Sequence, residues 1–119
     1  MFTIIFFKER DGRSPIDEFL DEVKSDNFKL YVKTERMLEL LEERGNLLTE
    51  PYSKHIREGL YELRTIQGNN LTRLFYFFSK GGIIIVDHGI VKKTKKISPK
   101  DIQIALDRKA DYERRHNNE

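Results

Sequence analysis

Between residues 59 and 91 the sequence is written almost entirely in period two. GLYELRTI, LTRLFYFF and GIIIVDHGIV are rich in β-branched and aromatic residues and read as three strands. QGNN joins the first two and GG stands before the third, and both are tight-turn chemistry. Strands joined by turns this short run antiparallel. The centre of the chain is therefore a sheet on which the remainder must pack.

The flanking segments change period. FTIIFF near the start is a short buried strand. SPIDEFLDEV opens a helix, with Ser14 as cap, Pro15 in the first position and Asp17 completing the box. Phe19, Leu20 and Val23 form its apolar face. Asp26 or Asn27 opens a second helix that runs to about Arg44, where Gly45 supplies a left-handed stop. Tyr31, Met37, Leu38 and Leu41 recur there at helical spacing. A loop surrounds Pro51. SPKDIQIALDRKADYERR repeats the Ser-Pro-x-Asp start with Ser98 and Pro99, and Ile102, Ala105 and Leu106 form a stripe. The predicted order is β-α-α-β-β-β-α. It describes one α+β domain over residues 1–119, with a mostly antiparallel sheet, helices packed on one face and a frayed tail at 115–119.

Length allows one domain and no more, at 119 residues. With no cysteine, disulfides, thiolate catalysis and cysteine-ligated zinc are excluded. His55, His88 and His116 have no metal-ligand spacing, so no metal or cofactor is expected. No apolar run approaches the roughly 18 residues of a membrane span. The start lacks the basic region and cleavage site of a signal peptide, and the expected location is the cytoplasm. The net charge of +2 conceals a segregation: residues 1–50 carry 8 basic and 12 acidic side chains, residues 51–100 carry 10 and 3, and residues 101–119 carry 4 and 5. A middle segment at +7 points to a polyanionic partner.

Two features localise that charge. With the hairpin centred on Gly68 and Asn69, Arg64 faces Arg73 and Glu62 faces Phe75, all on one side of the sheet. Tyr61, Leu63, Leu74 and Tyr76 take the other side, under helices. Like charges directly opposite are destabilising, by roughly 0.2–1 kcal/mol, and Glu62 on the diagonal relieves part of this. On this reading Arg73→Ala leaves the fold intact or slightly more stable. The next strand ends in HGIVKKTKKISP, which places Lys92, Lys93, Lys95 and Lys96 beside the same sheet. Planar guanidiniums bordered by lysines suit phosphate.

Metal-free RNA cleavage needs a base for the 2′-OH, an acid for the 5′-oxygen and positive charge on the phosphate. Arginine can only stabilise, whereas a lysine crowded by cations has a lowered pKa and can move a proton. If alternation holds to the strand end, Lys93 shares the parity of Val91 and Lys95, Lys92 falls on the opposite face, and Lys93 is favoured for that role. His88 is the conventional proton carrier by pKa, but its place inside an apolar strand also suits a packed, hydrogen-bonded residue.

EPYSKHIREGLYELR, RLFYFF and HGIVKKTKKISPKDIQIALDRKADY together resemble the RelE-like toxin superfamily, and within it the phage-derived HigB branch of host-inhibition toxins. The similarity covers roughly residues 2–112. It implies a toxin of a type II toxin–antitoxin pair: a ribosome-dependent, metal-independent messenger RNA endonuclease. Its implied partners are the ribosome, messenger RNA and a HigA-like helix-turn-helix antitoxin, through which operator DNA is reached indirectly. By position, Arg64 and Arg73 match the family's basic sheet residues, and Lys92, Lys93, Lys95 and Lys96 match its KKT segment. The last helix, with Arg108 and Tyr112, matches the element that often completes the site. The late arginine and tyrosine of the RelE type have no clear counterpart, which leaves the acid and base open. ParE-like relatives, which share the fold and poison DNA gyrase, and a non-catalytic nucleic-acid-binding relative are the alternatives.

Overall fold

The computed structural model describes residues 1–92 and 96–116. Its elements are β1 (Thr3–Phe6), α1 (Pro15–Asp26), α2 (Phe28–Arg44), β2 (Ser53–Arg57), β3 (Leu60–Gln67), β4 (Asn70–Phe78), β5 (Ile83–Val91) and α3 (Pro99–His116). The five strands form one sheet in the order β1-β5-β4-β3-β2. Only β1 and β5 pair in parallel; the other neighbours are antiparallel. The α+β class and the mostly antiparallel sheet expected from the sequence are present.

The helix ends follow the local chemistry. Ser14 accepts a hydrogen bond from the Asp17 amide at the start of α1, and Asn27 accepts one from the Leu30 amide at the start of α2. Gly45 ends α2 at φ 52°, a conformation glycine adopts without penalty. Ser98 accepts from the Asp101 amide at 3.2 Å and opens α3. That helix runs to His116, and Arg115 donates to the Lys8 carbonyl at 2.8 Å. Residues 115 and 116 are therefore helical rather than frayed, and 117–119 lie outside the described residues.

Two expectations need correction. SKHIR, expected as loop, is a strand, β2, on the sheet edge. Its pattern has only Ser53 buried and Ile56 half-buried, so the apolar alternation that marks interior strands is missing. Charged residues such as Lys54 and Arg57 are a common way to protect an edge. The second correction concerns the layers. Helices α1 and α2 cover one face through Ile16, Leu20, Leu38, Leu41, Leu63, Leu74, Tyr76, Ile84 and Val86. Helix α3 covers the opposite face, where Ala105 packs with Leu60 and Phe75, and Tyr112 with Phe77 and Ile85. The helices do not share one face. The sequence sign was there: FYFF and IIIV are continuous apolar runs, which is how strands read when both faces are buried.

The β3–β4 register matches the expected one, with Arg64 opposite Arg73 and Glu62 opposite Phe75. Between β4 and β5 the pairing slips by one residue, from Tyr76–Val86 to Phe75–His88. The extra residue is Asp87. Before it, Ile83 and Ile85 face α3 while Ile84 and Val86 face α1 and α2. After it, Ile90 faces α3, so the parity of β5 is reversed, as a bulge does.

Candidate functional site

On the α3 face, the two arginines are bridged rather than merely opposed. Glu62 Oε1 accepts from Arg64 Nε at 2.8 Å, and Oε2 accepts from Arg73 Nη1 at 2.7 Å. Glu62 and Arg73 are fully buried, whereas the Arg64 side chain is 27% exposed. A carboxylate between two guanidiniums converts the expected repulsion into a buried charge network. Arg73 is thereby a structural member whose guanidinium is committed to Glu62. Arg64 is the arm that reaches solvent.

His88 stacks on Phe75 with centroids 5.6 Å apart. Arg108 Nη1 lies 3.3 Å from His88 Nδ1, and Asp101 Oδ1 lies 3.0 Å from Nε2. Arginine has no acceptor, so Nδ1 must accept and Nε2 must carry the proton that is donated to Asp101. Burial pushes the His88 pKa below the ordinary value; the Asp101 hydrogen bond opposes that and the Arg108 charge adds to it. The ring is neutral with both nitrogens engaged. It is the packed, hydrogen-bonded residue of the two readings.

Burial alone would raise Asp101, but hydrogen bonds from His88, Ser98 and Lys92 hold its carboxyl below the usual range. Lys92 Nζ stands 3.4 Å from Asp101 Oδ2, and its side chain is 35% exposed. Lys92 therefore points to the α3 face, with His88 and Ile90. An alternation that puts Lys92 on the opposite face requires an unbroken strand, and the bulge at Asp87 breaks it. Lys93 and Lys95 themselves lie outside the described residues. Lys96 is exposed.

Arg108, expected on phosphate, is instead occupied internally: Nη1 donates to the Asp87 carbonyl at 2.8 Å, and Nη2 is 3.4 Å from Glu9. It ties α3 to the bulge. Tyr112 packs edge-on against Phe77 and stacks on His116. Asp87 is fully buried, and neither carboxyl oxygen has a hydrogen-bond partner among the described residues. Burial pushes its pKa up to about 8, against the lowering charges of Arg108 and Lys109. Sequence reasoning missed Asp87 and Asp101. A lone carboxylate inside IIIVDHGIV was a usable signal. Asp101 showed only as the end of a capping box, and nothing local pairs it with a histidine thirteen positions earlier.

Two cations of the α3 face reach solvent, Arg64 and Lys92. Arg64 lies level with Arg73 and Ile90, and Lys92 stands two residues further toward the hairpin on the far side of β4, which separates the two backbones by roughly 12 Å, two strand spacings across and two residues along. The Lys92 amide donates to the Leu71 carbonyl, which fixes Lys92 at the hairpin end. Long side chains can close over one phosphate across that distance.

A family comparison matches residues 20–110 to the description "Phage derived protein Gp49-like (DUF891)". The chain belongs to this phage-derived Gp49-like family, a family compatible with a toxin-like role. A comparison with curated proteins finds no match. Among the described residues, no helix is long and apolar enough to cross a membrane.

Proposed function

We infer that the chain is the toxin of a type II toxin–antitoxin pair, and that it cuts messenger RNA on the ribosome without a metal. The observation that carries this reading is that Arg64 and Lys92, on the α3 face of neighbouring parts of the sheet, both reach solvent where the four-lysine segment begins. Family membership is compatible with it.

In the reaction the 2′-oxygen attacks phosphorus and the bond to the 5′-oxygen breaks. One proton leaves the 2′-OH and another reaches the departing oxygen. Arg64 stabilises the charge on the phosphate, and Glu62, fixed by buried Arg73, orients the Arg64 guanidinium. Lys93, Lys95 and Lys96 hold flanking phosphates, and Lys92, on the α3 face, moves a proton. His88 and Asp101 position Lys92 rather than touch the substrate. A helix-turn-helix antitoxin neutralises the protein.

The test is incubation of the purified chain with naked messenger and with programmed bacterial ribosomes, with ends mapped by primer extension. Cleavage confined to the ribosome-bound message is expected. Inhibition of gyrase without cleavage would replace this reading by the ParE-like one. Lys92→Gln and Lys93→Gln in single-turnover cleavage separate the proton carrier, with an expected fall of about 10²–10⁴, from a phosphate contact.

A further inference from the structure

A second feature meets Arg64 from the other side. Where β3 runs past the end of β2, Lys33, Arg36 and Met37 of α2 join Pro51, Tyr52, Arg64, Thr65 and Ile66 around an open cleft of about 300 Å³. Tyr52 is 48% and Ile66 64% exposed, an apolar lining left in water. Lys33 and Arg36 are exposed and make no ion pair among the described residues. Thr65 is buried at the cleft, and its hydroxyl has no hydrogen-bond partner among the described residues. Among the described residues no carboxylate lines the cleft.

An apolar slot with an aromatic wall, an unspent hydroxyl and three surrounding cations has the chemistry of a nucleotide site. The base stacks on the ring while the charges take the backbone on either side. An acidic peptide would satisfy the cations as well, but Arg64 favours RNA, because it lines the cleft at the sheet edge while its guanidinium, held by Glu62, lies on the α3 face that carries the proposed phosphate site. We propose that the cleft holds one unstacked base of single-stranded RNA next to the phosphate at Arg64, with Tyr52 as the stacking partner. This rests on the RNA-cleaving reading and adds a subsite that selects the neighbouring nucleotide.

The test uses a short single-stranded RNA with 5-iodouridine at successive positions, photo-crosslinked to the full chain, with affinity read by fluorescence anisotropy. The expected results are a crosslink to Tyr52 from one position and a roughly ten-fold loss of affinity in Tyr52→Ala, as for one lost base–aromatic stack. Thr65→Val removes the unpaired hydroxyl, so it should fold at least as stably while changing which base is preferred. Unaltered affinity in Tyr52→Ala together with unaltered base preference in Thr65→Val would overturn the subsite, as would a crosslink elsewhere. Tight binding of an acidic peptide with no RNA binding would assign the cleft to a protein instead. Because binding and crosslinking need no cleavage, failure of the nuclease reading would show separately, as RNA bound but never cut.

Discussion

The two faces of the sheet are built on opposite principles. Toward α1 and α2, Leu63, Leu74, Tyr76, Ile84 and Val86 make an apolar core. Toward α3, apolar residues share the surface with Glu62, Arg64, Arg73, Asp87, His88 and Lys92. The first face contributes by removing hydrocarbon from water. The second places charges in low dielectric, where each must find a partner or remain neutral. Glu62 and Arg73 pair, His88 stays neutral, and burial raises the Asp87 pKa. The charges of the second face reach solvent through Arg64 and Lys92, whose side chains are 27% and 35% exposed.

The largest expected effect comes from breaking the buried pair. Arg73→Ala should destabilise the fold by about 3 kcal/mol in urea melts, because it leaves the buried Glu62 Oε2 without its guanidinium and only Arg64 to balance the charge. The double variant Glu62→Leu/Arg73→Met should recover most of that loss. A neutral outcome for Arg73→Ala alone would mean that the pair contributes nothing and that the faces differ less than argued.

On the opposite face the limit is space. A Cβ at Gly89 would stand 2.6 Å from the Phe19 ring and 2.9 Å from a Leu74 methyl. Gly89→Ala should therefore cost about 1–3 kcal/mol, as overpacking does, with no change in pH dependence. A variant as stable as the parent would show that this layer yields.

Asp87 sharpens the contrast by pH. Below about pH 4 its carboxyl is protonated in folded and unfolded chains alike. Between about pH 4 and about pH 8 only the unfolded chain releases the proton. Stability should fall with rising pH across that window, by up to about 1.4 kcal/mol per unit, and level off above it. Asp87→Asn should flatten this part of the profile and match the parent near pH 4. Parallel curves for the two proteins would place the titration elsewhere.

Much of this was legible in the sequence, for identifiable reasons. Caps at Ser14, Asn27 and Ser98 and the Gly68–Asn69 turn are local signals, and they set the helices and the Arg64–Arg73 register. What escaped was non-local. The edge strand SKHIR carries no apolar alternation, because one flank faces water. The layer chosen by α3 depends on both faces of β4 being apolar, which a period-two reading suppresses. The Asp87 bulge moved Lys92 onto the charged face, and no turn residue announced it. Burial of Arg73 depended on Glu62 lying between two arginines, so a charge pattern read as open was closed.

In the proposed reaction Arg64 works on RNA, while buried Arg73 holds the structure that presents it. Arg64→Ala leaves the Glu62–Arg73 pair in place, so the loss of stability should be small, below about 1 kcal/mol for a partly exposed pair. The decisive measurement is single-turnover cleavage of ribosome-bound messenger by folded Arg64→Ala against the parent chain. A fall of about 10²–10³, as expected for one lost donor on a developing charge, with ribosome affinity nearly unchanged, is the predicted result. Cleavage at the parent rate would contradict the account.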